Sequence, residues 1–145
     1  MENCFERIVE LLGKLPGDPL FVQFTKDIGD TPDLFLDTEK AVWYHFKNSG
    51  IYLNYLRTVG YFGLVIFESM DCYPPEQRYR GNFPGGIQFG DDRETVRKKL
   101  DSIPDSFEVA DKETWEEYRM GPLTLTLAFH SRSNKLTSVF LAYKA

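Results

Sequence analysis

A chain of 145 residues can fold as one compact domain that buries roughly two thirds of its unfolded surface, without disulfide or metal staples. Its 17 Lys and Arg against 22 Asp and Glu leave a net charge of −5, which repels nucleic-acid phosphate and excludes the basic footprint of a DNA or RNA binder. Two cysteines, Cys4 and Cys72, are too few for a disulfide framework and lack metal-ligand spacing, and no stretch reaches the roughly 18 apolar residues of a membrane span.

The N-terminus, Met1-Glu2-Asn3-Cys4-Phe5-Glu6-Arg7, carries acids where a secretion signal carries bases, so a cytoplasmic location with reduced cysteines is expected. Over residues 2–12, Phe5, Ile8, Val9, Leu11 and Leu12 fall at spacings of three and four, which predicts an amphipathic helix ended by Gly13. Asp18-Pro19 supplies a cap acceptor and a first-turn proline for a second helix, with Leu20, Phe21, Phe24 and Ile28 as its apolar face before Gly29. Past the turn-rich Gly29-Asp30-Thr31-Pro32 the period changes. Residues 41–47 and 50–56 are aromatic and β-branched and flank Asn48-Ser49, which predicts a hairpin, and residues 60–68 a third strand. Residues 69–86 hold Pro74-Pro75, Gly81, Pro84 and Gly85-Gly86 and read as a linker. Asp91 with Glu94 three residues on predicts a capped third helix with Val96 and Leu100 on its buried side. Strands over 114–119, 122–130 and 135–143 follow, with turns at Met120-Gly121 and 131–134.

This order of elements carries an internal repeat. At a fixed offset of 72, Pro32 falls on Pro104, Asp33 on Asp105, Phe35 on Phe107, Lys40 on Lys112, Trp43 on Trp115 and Leu53 on Leu125. A duplicated unit of about 72 residues follows, with Phe24 and Ile28 doing in the first half what Val96 and Leu100 do in the second. The expected fold is α+β: two tandem units of a helix plus a three-stranded antiparallel meander, either separate or joined in one continuous sheet with the helices on one face. Residues 1–70 form the first unit with an extra N-terminal helix, and residues 71–145 the linker and second unit, within one compact domain.

No reactive constellation is legible. The two histidines, His45 and His130, each lie in a predicted strand without a nucleophile or carboxylate at a catalytic spacing and read as surface strand residues. Glu116 and Glu117 are adjacent on a strand, so they face opposite ways and do not converge on one substrate. The glycine-rich run 81–90 lacks the lysine and Ser/Thr of a phosphate loop. No metal, organic cofactor or enzymatic activity is therefore expected.

The informative pattern is a face. With Asn48-Ser49 as the turn, Phe46 lies opposite Ile51, Tyr44 opposite Leu53 and Val42 opposite Tyr55, the side that helices should cover, while Trp43, His45, Tyr52 and Asn54 take the other side. The same construction at Met120-Gly121 pairs Tyr118 with Leu123 and Thr114 with Leu127 on the covered side and leaves Trp115, Glu117, Thr124 and Thr126 open. A loop such as the 69–86 linker can cover such tryptophans; alternatively Trp and Tyr there supply rigid contact area for a partner. The candidate partner-binding residues are Trp43, His45, Tyr52, Asn54, Trp115, Glu117 and Thr126.

A helix, then Gly29-Asp30-Thr31-Pro32 or Asp101-Ser102-Ile103-Pro104, then a Trp-x-x-aromatic strand, a short turn and two amphipathic strands resembles the SmpA/OmlA-like unit of small outer-membrane assembly lipoproteins. Its repetition resembles the tandem architecture of the β-lactamase inhibitor protein type, whose concave sheet grips an enzyme. The expectation of no export signal, from residues 1–7, departs from that pattern. The segment from Tyr79-Arg80-Gly81-Asn82-Phe83-Pro84 through Asp91-Asp92-Arg93-Glu94-Thr95-Val96 is similar to segments of cytoplasmic immunity proteins of bacterial polymorphic toxins. These resemblances imply a non-catalytic immunity protein that binds a cognate toxin enzyme and inhibits it by occlusion. The alternative they imply is an adaptor or assembly module that holds partners without inhibiting them. An enzyme whose site forms only in the fold ranks third.

Overall fold

In the computed structural model, which describes residues 3–68 and 78–144, the N-terminal apolar stripe winds as α1, Cys4–Leu11, with Cys4, Phe5, Ile8 and Leu11 buried. The amide of Gly13 then donates to the Phe62 carbonyl at 2.9 Å, which ties the end of α1 to the sheet. Helix α2, Pro19–Ile28, starts as its sequence dictates: the Asp18 carboxylate accepts from the Leu20 amide at 2.9 Å, and Pro19 occupies the first turn, where its missing N–H costs nothing. Helix α3, Arg93–Leu100, is capped one residue later than expected, because Asp92 rather than Asp91 accepts from the Thr95 amide at 2.7 Å. Asp91 is engaged elsewhere, accepting from the Gln88 amide at 3.0 Å and pairing with Lys99 at 2.8 Å.

The strands are β1 Asp33–Phe35, β2 Ala41–Phe46, β3 Ile51–Leu56, β4 Tyr61–Phe67, β5 Ser106–Val109, β6 Glu113–Met120, β7 Leu123–His130 and β8 Leu136–Tyr143. They form one eight-stranded sheet in the order β1-β2-β3-β4-β8-β7-β6-β5, and every neighbouring pair is antiparallel. This overturns the expected fold of two helix-plus-three-stranded units. The described residues are sheet-dominated, with three α-helices, and β4 paired against β8 fuses the strands of both halves into a single layer. The two strands missed in the sequence are the sheet edges. An edge strand has no neighbour on one side and needs no buried alternation: all four β5 residues are exposed, and β1 is only three residues long.

All three helices cover the same face. Phe21 meets Tyr44, Phe46 and Phe62, Phe24 meets Phe46, and Phe5 stacks on Phe67 at 5.7 Å. On that side Leu53, Val65, Leu125, Leu127, Phe129, Val139 and Leu141 complete a core exposed by 1 % or less. Residues 69–77 of the expected linker, with Cys72, Pro74, Pro75 and the expected boundary at 70/71, lie outside the described residues. Its described remainder is packed: Tyr79 and Phe83 lie 4.6 and 5.2 Å from Phe67, and Ile87 is buried after a single 3₁₀ turn at Pro84–Gly86. This part of the linker therefore lies with the helices. Gly50, at φ 68°, lies in the turn before β3 against this segment, and a Cβ there would collide with the Arg78–Tyr79 backbone.

Among the described residues Glu116 is the carboxylate with no exposed surface, at 0 % against 6 % for Asp30 and Glu68. Its Oε2 accepts from Arg93 Nε at 2.8 Å and from an Arg97 guanidinium nitrogen at 2.7 Å, and its Oε1 from the Tyr118 hydroxyl at 2.9 Å. One turn of α3 thus supplies both cations, and the charge is buried because it is paired and hydrogen-bonded.

Candidate functional site

Residues facing away from the helices form a continuous row across all eight strands. Cross-strand pairing runs Asp33–His45–Tyr52–Ile66–Phe140–Thr126–Glu117–Ser106, from one sheet edge to the other. A parallel row on one side runs Phe35–Trp43–Asn54–Leu64–Ala142–Thr124–Arg119, and on the other side Trp115 sits between Glu108 and Ala128. Trp43 and Trp115 thus flank the central row from opposite sides, five strands apart, or about 24 Å at the usual spacing of roughly 4.8 Å.

The first hairpin has the register its sequence specifies, with Phe46 opposite Ile51 and Tyr44 opposite Leu53. The second is shifted by two: Tyr118 pairs with Leu125 and Thr114 with Phe129, so the turn is Gly121-Pro122 rather than Met120-Gly121. A slip of two preserves the facing of every side chain, where a slip of one would have inverted it. Trp115, Glu117 and Thr126 consequently stay on the open face, and Glu117 and Thr126 become direct partners.

Around β1–β3 the open face is an aromatic cluster. Phe35 stacks near Trp43 at 6.3 Å and meets Tyr52 edge-on at 5.3 Å, while His45 lies flat on Tyr52 with ring centroids 3.9 Å apart and planes 2° from parallel. Partial burial in this stack holds the His45 imidazole below its ordinary pKa, against the opposing pull of Asp33 and Asp30. Around β6–β8, Trp115 stacks on Phe140 at 5.3 Å. Beside them a shallow groove of about 360 Å³ is lined by Trp115, Phe140, Thr126, Leu64 and the two carboxylates Glu108 and Glu117.

Six of the seven candidate residues, Trp43, His45, Tyr52, Trp115, Glu117 and Thr126, are half-buried on this face and offer surface. The seventh, Asn54, is only 3 % exposed between Trp43 and Leu64 and backs the face rather than presenting itself. The structure brings His45 and Tyr52 together and Glu117 and Thr126 together, while the two groups lie at opposite ends of the row. Phe35, Glu108 and Phe140 belong to the face although the sequence reading did not select them. The alternation of β8 is the signal that could have found Phe140.

Two further titratable groups lie outside these rows. His130 is exposed at the end of β7, where its Nδ1 accepts the amides of Arg132 and Ser133 at 3.2 and 3.4 Å. Cys4 is a buried free thiol whose pKa is pushed up by burial. Among the described residues no three of His, Cys, Asp and Glu converge as metal ligands, and no helix is long and apolar enough to cross a membrane.

No family model matches the chain, and no characterised protein matches it in sequence. Solved structures share its fold. A DUF4309 family protein, YjgB, from Bacillus subtilis superposes with a TM-score of 0.51 at 12% identity, over 90% of this chain and 82% of that one. An extracellular protein containing a SCP domain from Bacillus anthracis gives 0.55 at 10% identity, over 94% of this chain and 45% of the other. A cysteine-rich secretory protein, SAV1118, from Staphylococcus aureus gives 0.51 at 14% identity, over 85% of this chain and 43% of the other. At such identities the likeness is one of fold, and none of the three is named as an SmpA/OmlA-like or immunity protein.

Proposed function

We propose that the chain is a non-catalytic binding protein whose open sheet face docks on a protein partner, and that the partner is a bacterial toxin enzyme held inactive by occlusion. The observation that carries this reading is the row from Asp33 to Ser106, which crosses the whole sheet on the side away from the helices. Eight strands span about 34 Å and six residues of strand about 20 Å, the scale of the roughly 800 Å² per partner found in stable complexes. Half-buried Trp43, Tyr52 and Trp115 are rigid amphipathic anchors of the type that dominates interface energetics. A cytoplasmic site of action belongs to the same proposal.

The test starts with the partner captured from the native host and assayed with and without this protein. Truncation of a central Trp commonly costs about 2 kcal/mol at an interface, close to thirtyfold in affinity. Trp43→Ala and Trp115→Ala are each expected to weaken binding by that order and to relieve inhibition, with the free variants still folded. Variants that bind as tightly as the parent, or that melt far earlier, count against the open face.

A second reading, an adaptor that holds partners without inhibiting them, draws on a separate surface. At the β5 edge Ile103, Phe107 and Val109 are 79%, 63% and 68% exposed, and Phe107 and Val109 point to the helix side, away from the row. Full activity of the captured enzyme inside the complex would select this reading.

A further inference from the structure

The geometry points to the groove beside Trp115 as a receptor for a basic side chain, an Arg or Lys presented by the protein partner. This inference rests on the proposed docking role of the open face and specifies the chemistry of what docks there. The groove has an aromatic wall, Trp115 stacked on Phe140, and two carboxylates beside it: Glu108 is the direct cross-strand partner of Trp115, and Glu117 lies two residues along the same strand and the same face. Neither carboxylate has an ion-pair partner among the described residues. Glu117 Oε2 accepts only a neutral hydrogen bond from Ser106 Oγ at 3.1 Å, and the groove has no Lys or Arg in its lining. An aromatic face beside two uncompensated carboxylates attracts a cation through the ring quadrupole and through charge-assisted hydrogen bonds together.

The rest of the face agrees in sign. Strand residues pointing outward on this side include Asp33, Glu108, Glu113 and Glu117 against a single Arg119, which lies in the other row opposite Thr124. A partner surface rich in Lys and Arg is therefore complementary to the whole row as well as to the groove, and charge complementarity of this kind steers encounter and fixes register. A free small cation would use the groove alone and leave that complementarity unused.

The test uses the Trp43→Phe variant of the full chain, so that Trp115 is its only tryptophan, titrated by fluorescence with a capped peptide containing four arginines and with its citrulline counterpart. The arginine peptide should perturb Trp115 emission saturably, with affinity falling at least tenfold from 50 to 300 mM salt, and the citrulline peptide should not. Glu108→Gln with Glu117→Gln should reduce arginine-peptide affinity at least tenfold while the melting temperature stays within a few degrees. Absence of saturable binding, or binding unchanged in the double Gln variant, overturns the inference. So does tetramethylammonium binding as tightly as the peptide, which would make the groove a small-cation site. If the peptide fails while Trp43→Ala still weakens partner binding, the docking role stands and only the cation groove is lost.

Discussion

Arg97 and Glu116 join the third helix to the sheet, with a guanidinium nitrogen 2.7 Å from a carboxylate that is wholly buried, and Arg93 makes a second bond to the same oxygen at 2.8 Å. Either arginine alone leaves the charge paired. Arg93→Ala and Arg97→Ala should therefore each be mild, and the double variant should cost about 3 to 5 kcal/mol, the range for stranding a buried charge, and more than the sum of the singles. Denaturant midpoints of the three variants measure the coupling, and simple additivity would refute a shared role.

The same carboxylate sets an acid limit. Burial alone would raise the Glu116 pKa, but hydrogen bonds from Arg97, Arg93 and Tyr118 outweigh it and hold the group below its ordinary 4.5. A depressed carboxylate contributes stability that is fully present above its unfolded pKa and is lost as pH falls through its folded value. The parent should lose stability steeply below about pH 4.5, and Glu116→Gln, less stable at neutral pH, should show a flatter acid limb.

The core separates the two apolar positions within each helix, with Phe24 and Val96 at its centre and Ile28 and Leu100 at its margin. Phe24 is 1 % exposed and meets Phe46 at 5.8 Å, whereas Ile28 and Leu100 are only half-buried at the margin of the cluster. Phe24→Ala should cost about 3 to 5 kcal/mol, and Ile28→Ala and Leu100→Ala no more than about 2 kcal/mol each. Equal losses at all three positions would mean that the helix margins are as tightly packed as the centre.

Local chemistry decided what was legible in the sequence. The first hairpin could be registered because aromatic and β-branched alternation ran unbroken into Asn48-Ser49, and Asp30 fixes that turn by accepting from the Asn48 amide at 3.0 Å and the Ser49 hydroxyl at 2.9 Å. The second hairpin slipped by two because Gly121, at φ 62°, and Pro122 form the turn, leaving Met120 opposite Leu123. The edge strands were illegible because nothing buries them. In the sequence Glu116 stands as a lone acid on the covered side; Arg93 and Arg97, four apart on one helix face, are the compensating signal. Trp43 and Trp115 face outward as the alternation requires, but recognition of any partner depends on contacts no single chain encodes.

Asp30 gives a compact test of the turn. Asp30→Ala strands the donors of Asn48 and Ser49 and should cost about 1 to 3 kcal/mol, the penalty for unsatisfied polar groups at a buried site. Asp30→Asn keeps one acceptor and should lose less. Equal stability of Ala variant and parent, by urea titration, would remove Asp30 from the hairpin's support.

The last expectation concerns His45, whose ring lies 3.9 Å from Tyr52 at the start of the open row. Desolvation lowers its pKa below 6.5, with Asp33 and Asp30 pulling the other way and Lys47 adding slightly to the depression. Between the folded and unfolded values the unfolded chain binds more protons, so stability is complete above about pH 6.5 and declines as pH falls below it. His45→Phe keeps a flat ring against Tyr52 but cannot take a proton, so its melting temperature should be level from pH 7 to pH 5 while that of the parent drops. The Glu116 limb begins two units lower, below about 4.5, so the two effects separate along one pH series. If the parent is flat between pH 7 and pH 5, or if His45→Phe falls in parallel with it, the stacked imidazole is not the group that titrates.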